Sequence, residues 1–276
     1  MLTAILQRAT LALTPTSDSP RLDAEVLLSH ALACNRSQLR LKTTLTDTQL
    51  SLFQALVTRR QQRIPIAYLI GQKEFWSLML MITPAVLVPR PETELLVETV
   101  LHLISHKEAH IADLGTGSGA IALALVSERL NWRVTATDLS QAALDIAIQN
   151  ATHLQLHHLT FKLGSWTDAF APNDRFDAIV SNPPYLAMDD PYLVNTDISH
   201  EPVSALVADN QGLAAYQTIT THAINFLKPG GYLCFEHGAT QAACVRAILQ
   251  HHAFVTITTL KDLAGLDRVT YGHIRL

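Results

Sequence analysis

The stretch His110–Asp138, HIADLGTGSGAIALALVSERLNWRVTATD, decides the fold class. It reads as a short buried strand running into a glycine-rich turn, a helix over GAIALALVSER, and a second strand, RVTATD, that ends on an acid. Two strands joined through a helix lie parallel, and their crossover is right-handed. The same rhythm runs outward in both directions. TELLVETVLHLIS precedes the unit as a helix and SQAALDIAIQNATHL follows it as another. LTFKLGS and FDAIVSNPP are further strands, GLAAYQTITTHAINFL is a long helix, GGYLCFEHG a strand and TQAACVRAILQHH a helix. Near-continuous apolar strands alternating with helices imply an α/β fold with a mainly parallel sheet covered on both faces. Ligands of such sheets sit outside the carboxyl ends of the strands.

The first third of the chain has a different period. Segments 2–13, 21–34 and 47–62 carry apolar residues at three- and four-residue spacings, interrupted by TPTSDSP and CNRSQLRLKTTLTD, which predicts a small helical bundle. Pro65 opens PIAYLIG, and EFWSLMLMITPAVLVPR reads as short strands or a hairpin. The expected division is a helical bundle over 1–72, suited to substrate docking, a hairpin or linker over 73–90, and the α/β domain over 91–276. Charge follows the same split. Residues 1–80 hold nine Lys/Arg against five Asp/Glu, a net of +4, so the rest of the chain holds −8 of the overall −4. The basic first part could face an acidic partner or nucleic acid, or simply present solvated helix faces.

Composition removes several classes. A 48% hydrophobic and 16% charged chain is globular rather than disordered, and no apolar run approaches the roughly 18 residues of a membrane span. The N-terminal MLTAILQRATLAL reads as an amphipathic helix rather than a leader peptide. Cys34, Cys234 and Cys244 lie far apart without ligand spacing, which argues against a disulfide scaffold or a structural metal and fits a reducing cytoplasm. The histidines are scattered without a His-Glu-x-x-His pattern, so no metal is expected.

Chemistry concentrates at the strand ends. In Asp113–Leu123, DLGTGSGAIAL, the loop Gly115, Thr116, Gly117, Ser118, Gly119 can turn tightly, approach a ligand and leave helix-start N–H groups free. An ordinary strand-to-helix turn would look similar. The spacing departs from a dinucleotide fingerprint, and no lysine follows the glycines as a triphosphate loop requires. The acid at the strand end, Asp113, suits a ligand bearing a cation. Asp138, nineteen positions after Gly119, can accept both hydroxyls of a ribose or cap the next helix. Trp166, after the third strand, can stack on an adenine or serve as a domain-edge core aromatic. A ribose acceptor, an aromatic and an acidic glycine loop together outline S-adenosylmethionine, a nucleoside with a positively charged amino-acid tail.

The fourth strand ends in Asn182, Pro183, Pro184 and Tyr185, which suit neither a helix nor a central strand. The prolines hold an irregular turn rigid. The Asn182 side-chain carbonyl and the Pro183 backbone carbonyl can hold both hydrogens of a planar NH2 and aim its nitrogen at the sulfonium methyl. Such a nitrogen is a poor nucleophile, so positioning and stabilisation of developing positive charge outweigh a strong base. Tyr185 can pack on the planar group without using its hydroxyl.

DLGTGSG, ATD, VSNPPY and VLVPRPETELLVE, with PIAYLIGQKEFW, HEPVSALVADNQGL and EHG, resemble the glutamine-N5 methyltransferases that modify peptide chain release factors. The resemblance covers nearly the whole chain. It implies a Rossmann-like methyltransferase domain behind a small N-terminal helical domain, with S-adenosylmethionine as methyl donor. It further implies methyl transfer to the Gly-Gly-Gln glutamine of bacterial-type class 1 release factors. In that reading the 115–119 loop, Asp138, Trp166 and Asn182 bind the cofactor, and Asn182–Tyr185 grip the glutamine. Ser165 stands where many relatives carry an acid near the adenine amine, and the glycine often found before Pro65 is missing. Arg90, Glu92 and Glu94 read first as capping around Pro91 and second as pocket formation. Glu201 and Pro202 are expected to brace a loop over the substrate, and His200 is not expected to act as a base.

The competing readings are a nucleic-acid amino-methyltransferase, which shares NPPY, and a cofactor-binding protein without catalysis. The acidic α/β part disfavours extensive phosphate contacts, and the retained Asn182 and glycines disfavour the second. A cytoplasmic monomer without stable nucleic-acid or membrane partners is expected.

Overall fold

The computed structural model describes residues 2–42, 44–194 and 196–275, which form two units. The first comprises residues 1–72 together with 191–200. Its helices are α1 (Leu2–Leu13), α2 (Pro20–Ala31), α3 (Asp47–Gln61) and the single turn α4 (Ile66–Ile70), with a 3-10 turn over Arg36–Leu41. Leu13, Leu27, Leu28, Phe53 and Leu56 make its core, as the helical spacing requires. Asn35 with Gln38, and Thr46 with Gln49, form reciprocal capping boxes that start the 3-10 turn and α3. Arg60 is buried between Asp23 and Asp197, 2.8 Å from each. A division by sequence position cannot contain that last contact. The segment 191–200 belongs with the helical unit although it lies within 91–276.

The second unit holds residues 73–190 and 201–276. β1 (Gln72–Phe75) and β2 (Leu78–Met81) form a two-stranded sheet, closed through Trp76 and Ser77 with positive φ at both, as a tight hairpin turn needs. The main sheet contains β3 (His110–Leu114), β4 (Arg133–Asp138), β5 (Leu159–Leu163), β6 (Phe176–Ser181), β7 (Leu227–Glu236), β8 (Val255–Lys261) and β9 (Asp267–His273). Their order is β5-β4-β3-β6-β7-β9-β8, parallel except where β9 joins β7 and β8. The helices are α5 (Glu94–Leu103), α6 (Ala120–Glu128), α7 (Gln141–His153), the short α8 (Val203–Leu206) and α9 (Asp209–Gly212), α10 (Ala214–Ala223) and α11 (Ala242–His251). In α6 every residue from Ala120 to Val126 is buried, which explains a helix apolar on all sides.

Two boundaries differ from the sequence reading. The helix expected through Leu227 stops at Ala223, and β7 starts at Leu227 rather than at the glycine pair, because Phe176 pairs with Leu227 across the sheet. The terminal segment forms the β8–β9 hairpin at the sheet edge. The order also fixes a switch point. From β3 the chain steps to β4 and β5 on one side, then returns to place β6 on the other, so the crevice opens between the ends of β3 and β6.

Candidate functional site

Parallel register carries the carboxyl ends of four strands to the same edge of the sheet. Asp113 pairs with Val180 and Ala136, Leu114 with Ser181, and Asp138 with Leu163, so the loops after β3, β4, β5 and β6 emerge together. They enclose a cavity of about 410 Å³ lined by Gly115, Gly117, Asp138, Trp166, Asn182 and Pro184 among others. These six candidates from distant parts of the sequence therefore meet in one place. Thr116, Ser118, Gly119, Pro183 and Tyr185 do not line it.

The glycine loop has a shape only glycine adopts readily: φ is +71° at Gly115, +56° at Gly117 and +84° at Gly119. A Cβ on Gly117 would meet open space, whereas one on Gly115 would lie 3.3 Å from the Trp166 ring. Trp166 thus closes over the loop from one side and also packs against the buried core. Its position is thus both that of a cavity wall and that of a core-edge aromatic. Asn150, buried in α7, donates to the Ser118 and Met81 carbonyls and accepts from the Met81 amide, tying this loop to β2.

Asp113 is fully buried. Its Oδ2 accepts from the Thr116 hydroxyl at 2.7 Å, while Oδ1 has no hydrogen-bond partner, although the Ala122 amide faces the carboxylate. Burial, with the nearby Asp138 charge, pushes the carboxyl up to about 7. A cationic ligand group reaching it would restore the charged form. Asp138 is not the helix cap that sequence allowed. Ser140 caps α7 by accepting from Ala143, and Asp138 instead accepts from Gly117 N and Ser140 N, one bond at each oxygen, both at 2.9 Å. Each carboxylate oxygen keeps a second lone pair, so two hydroxyls can still be accepted.

Asn182 follows β6, and its Nδ2 donates to Thr93 Oγ1 at 3.3 Å. The rest of the turn is held by backbone: Tyr185 N donates to the Leu206 carbonyl, and Gln241 donates to the Tyr185 carbonyl at 2.9 Å. Gly212 allows this approach, since a Cβ there would lie 2.0 Å from the Tyr185 oxygen. Burial raises the Tyr185 phenol to about 12, so it stays protonated and serves as a packing surface. Arg90 pairs with Glu201, whose other oxygen accepts from Val88 N at 3.0 Å. Glu201 therefore ties its own loop to the 88–90 segment. His200 bonds the Gln62 carbonyl at 2.8 Å within the helical unit.

Sequence reasoning named Pro202 only as a brace and did not single out the walls formed by Pro84–Leu87 and by Ser204 and Ala205, nor Asn150, Thr93 and Glu236. The polar triplet ETE and the fragment EHG were visible, but nothing in their spacing brings them to Asn182. Among the described residues no group of His, Cys, Asp and Glu could hold a metal ion.

A family model described as PrmC N-terminal domain matches residues 4–71, and one described as Methyltransferase domain matches 105–265. The release factor glutamine methyltransferase of Xylella fastidiosa (strain 9a5c) is 48% identical over 260 residues, covering 92% of this chain and 93% of that protein. That of Vibrio cholerae is 47% identical, covering 94% and 91%. The fold is shared with a methyltransferase from Pyrococcus furiosus at a TM-score of 0.58 and 17% identity, covering 79% of this chain and all of that one. Near-complete alignment at this identity, over both units and through the strand-end loops, places the chain in the release factor glutamine methyltransferase family.

Proposed function

We propose that the chain transfers a methyl group from S-adenosylmethionine to the N5 side-chain amide of the glutamine in the Gly-Gly-Gln motif of bacterial-type class 1 release factors. The observation that carries this reading is the convergence of Gly117, Asp138 and Asn182 on one cavity at the switch point. When bound, S-adenosylmethionine supplies an electrophilic methyl. The site fits that molecule in two respects: Gly117 leaves open space above the loop, and Asp138 has acceptor capacity left for a ribose. Trp166 supplies an apolar face for the base.

Asn182 and Pro183 accept the two hydrogens of the glutamine NH2, and the rigid turn orients its lone pair toward the methyl-bearing side of the cavity. As the nitrogen gains positive charge, those acceptors strengthen, which is where the rate is gained. Tyr185, locked by Leu206, Gln241 and Gly212, packs the turn from behind. The base-methylating alternative finds no support among the release-factor relatives, which match over both units. The reaction needs one chain, and we place it in the cytoplasm, where the free Cys34, Cys234 and Cys244 stay reduced. Among the described residues no helix is long and apolar enough to cross a membrane.

Labelled S-adenosylmethionine, purified enzyme and a release factor decide the matter by intact mass and peptide mapping. One methyl group on the motif glutamine is expected, with none on DNA, bulk RNA or a release factor whose motif glutamine is replaced by glutamate. Methylation elsewhere, or equal methylation of the glutamate form, overturns the assignment.

A further inference from the structure

The buried Glu236 has no role in the scheme above. It ends β7, is 1% exposed, and its Oε2 has no hydrogen-bond partner. The carboxylate is within hydrogen-bonding reach of the Thr93 side-chain hydroxyl, which favours its charged form. Thr93 occupies the helix-cap position before α5 yet makes no capping bond, with φ −65° and ψ −21°. Its hydroxyl is used between two side chains instead: Glu236 on one side and Asn182 Nδ2, at 3.3 Å, on the other.

Hydrogen-bond polarity then runs one way. A carboxylate can only accept, so the single Thr93 proton is committed to Glu236. The Thr93 oxygen is left as an acceptor and must receive an N–H from Asn182. The Asn182 amide is thereby turned with its NH2 toward Thr93 and its Oδ1 at the free end. Reversed by half a turn, the same amide would present N–H groups to a substrate NH2 and repel it.

We propose that Glu236 and Thr93 are positioning residues that fix the orientation of the Asn182 amide, so that its oxygen faces the substrate nitrogen. The proposal deepens the reading of Asn182 as acceptor for the glutamine NH2 and rests on it. Neither residue touches the reacting atoms.

Protonation gives the relay a switch. Burial, with the charge of Glu92 in the turn before α5, pushes Glu236 up to about 7, while Thr93, Arg268 on β9 and Arg90 draw it down; the Tyr185 phenol faces it from the turn. A protonated Glu236 can itself donate to Thr93. The Thr93 proton is then free to swing toward Asn182 and favour the reversed amide.

The test is single-turnover methylation of a release factor at saturating S-adenosylmethionine, from about pH 6 to about pH 9, spanning the neutral-range titration expected of the buried carboxyl. Wild type, Thr93→Val, Thr93→Ser and Glu236→Gln are compared, with cofactor affinity measured alongside. Thr93→Val keeps the shape and removes the hydroxyl. Its rate should fall by about tenfold or more while cofactor Kd stays within about twofold, and Thr93→Ser should recover most of the rate. The wild-type rate should rise with pH through neutrality, and Glu236→Gln should lose that inflection although Asp113 still titrates there. A Thr93→Val rate equal to wild type, or Thr93→Ser as slow as Thr93→Val, overturns the relay. If Thr93→Val does not fold, an unchanged inflection in Glu236→Gln overturns it instead. Absence of methylation by wild type would sink the proposed function; methylation by wild type with an indifferent Thr93→Val sinks the relay alone.

Discussion

Removing the Asn182 side chain should separate catalysis from cofactor binding. In Asn182→Ala the Oδ1 acceptor disappears, and Thr93 loses the donor now 3.3 Å away. In the ground state the glutamine NH2 is neutral, and a hydrogen bond of that kind is worth about 0.5–1.5 kcal/mol. In the transition state the nitrogen carries positive charge, and the same bond is worth about 1.5–3 kcal/mol. The second figure corresponds to roughly 10- to 160-fold in rate. Lost positioning of the nitrogen adds to it. Asn182 is only one part of a wall shared with the glycine loop, Asp138 and Trp166, so the affinity for S-adenosylmethionine should change by no more than about threefold, less than one hydrogen bond. The assay is rapid-quench methylation of a release factor at saturating cofactor, read by intact mass, with calorimetric titration of cofactor alone. A rate within about threefold of wild type, below the value of one such bond, would refute the argument. So would a loss of cofactor affinity as large as the loss in rate, since that would make Asn182 a uniform binding group.

Asp138→Ala should weaken S-adenosylmethionine binding, because it removes the ribose acceptors and frees Gly117 N and Ser140 N; equal calorimetric affinities would exclude Asp138 from the site. Arg60→Ala should destabilise the helical unit by about 3–5 kcal/mol, read by urea denaturation, because Asp23 would stay buried without its cation. The ligand-free protein should respond to pH through Asp113: its carboxyl is raised from 3.8 to about 7, so the native state holds the proton that the unfolded state releases. Its contribution to stability is complete below the unfolded value and falls as pH rises from about 4 to about 7. Denaturant midpoints of wild type and Asp113→Asn should therefore converge or cross over that window, and parallel curves would contradict the burial argument.

The sequence alone determined the α/β class, because strand and helix periods differ and RVTATD or FDAIVS can satisfy only one of them. It also determined the loops that line the cavity, since glycines at positive φ, a strand-ending acid and a double-proline turn are local requirements written in residue type. Tertiary structure decided how these loops combine. Whether Asp138 caps a helix depended on Ser140 taking that place, and whether Trp166 belonged to core or cavity depended on its packing over Gly115. The Thr93–Asn182 bond joins residues 89 positions apart, and Asn150 reaches Met81 across 69. The membership of 191–200 in the helical unit rests on contacts such as that of Asp197 with Arg60, 137 positions away. Polar side chains of this kind are individually unremarkable in sequence, because a hydroxyl or carboxyl acquires its role from the donor or acceptor opposite it. Only the folded chain brings that opposite group within about 3 Å.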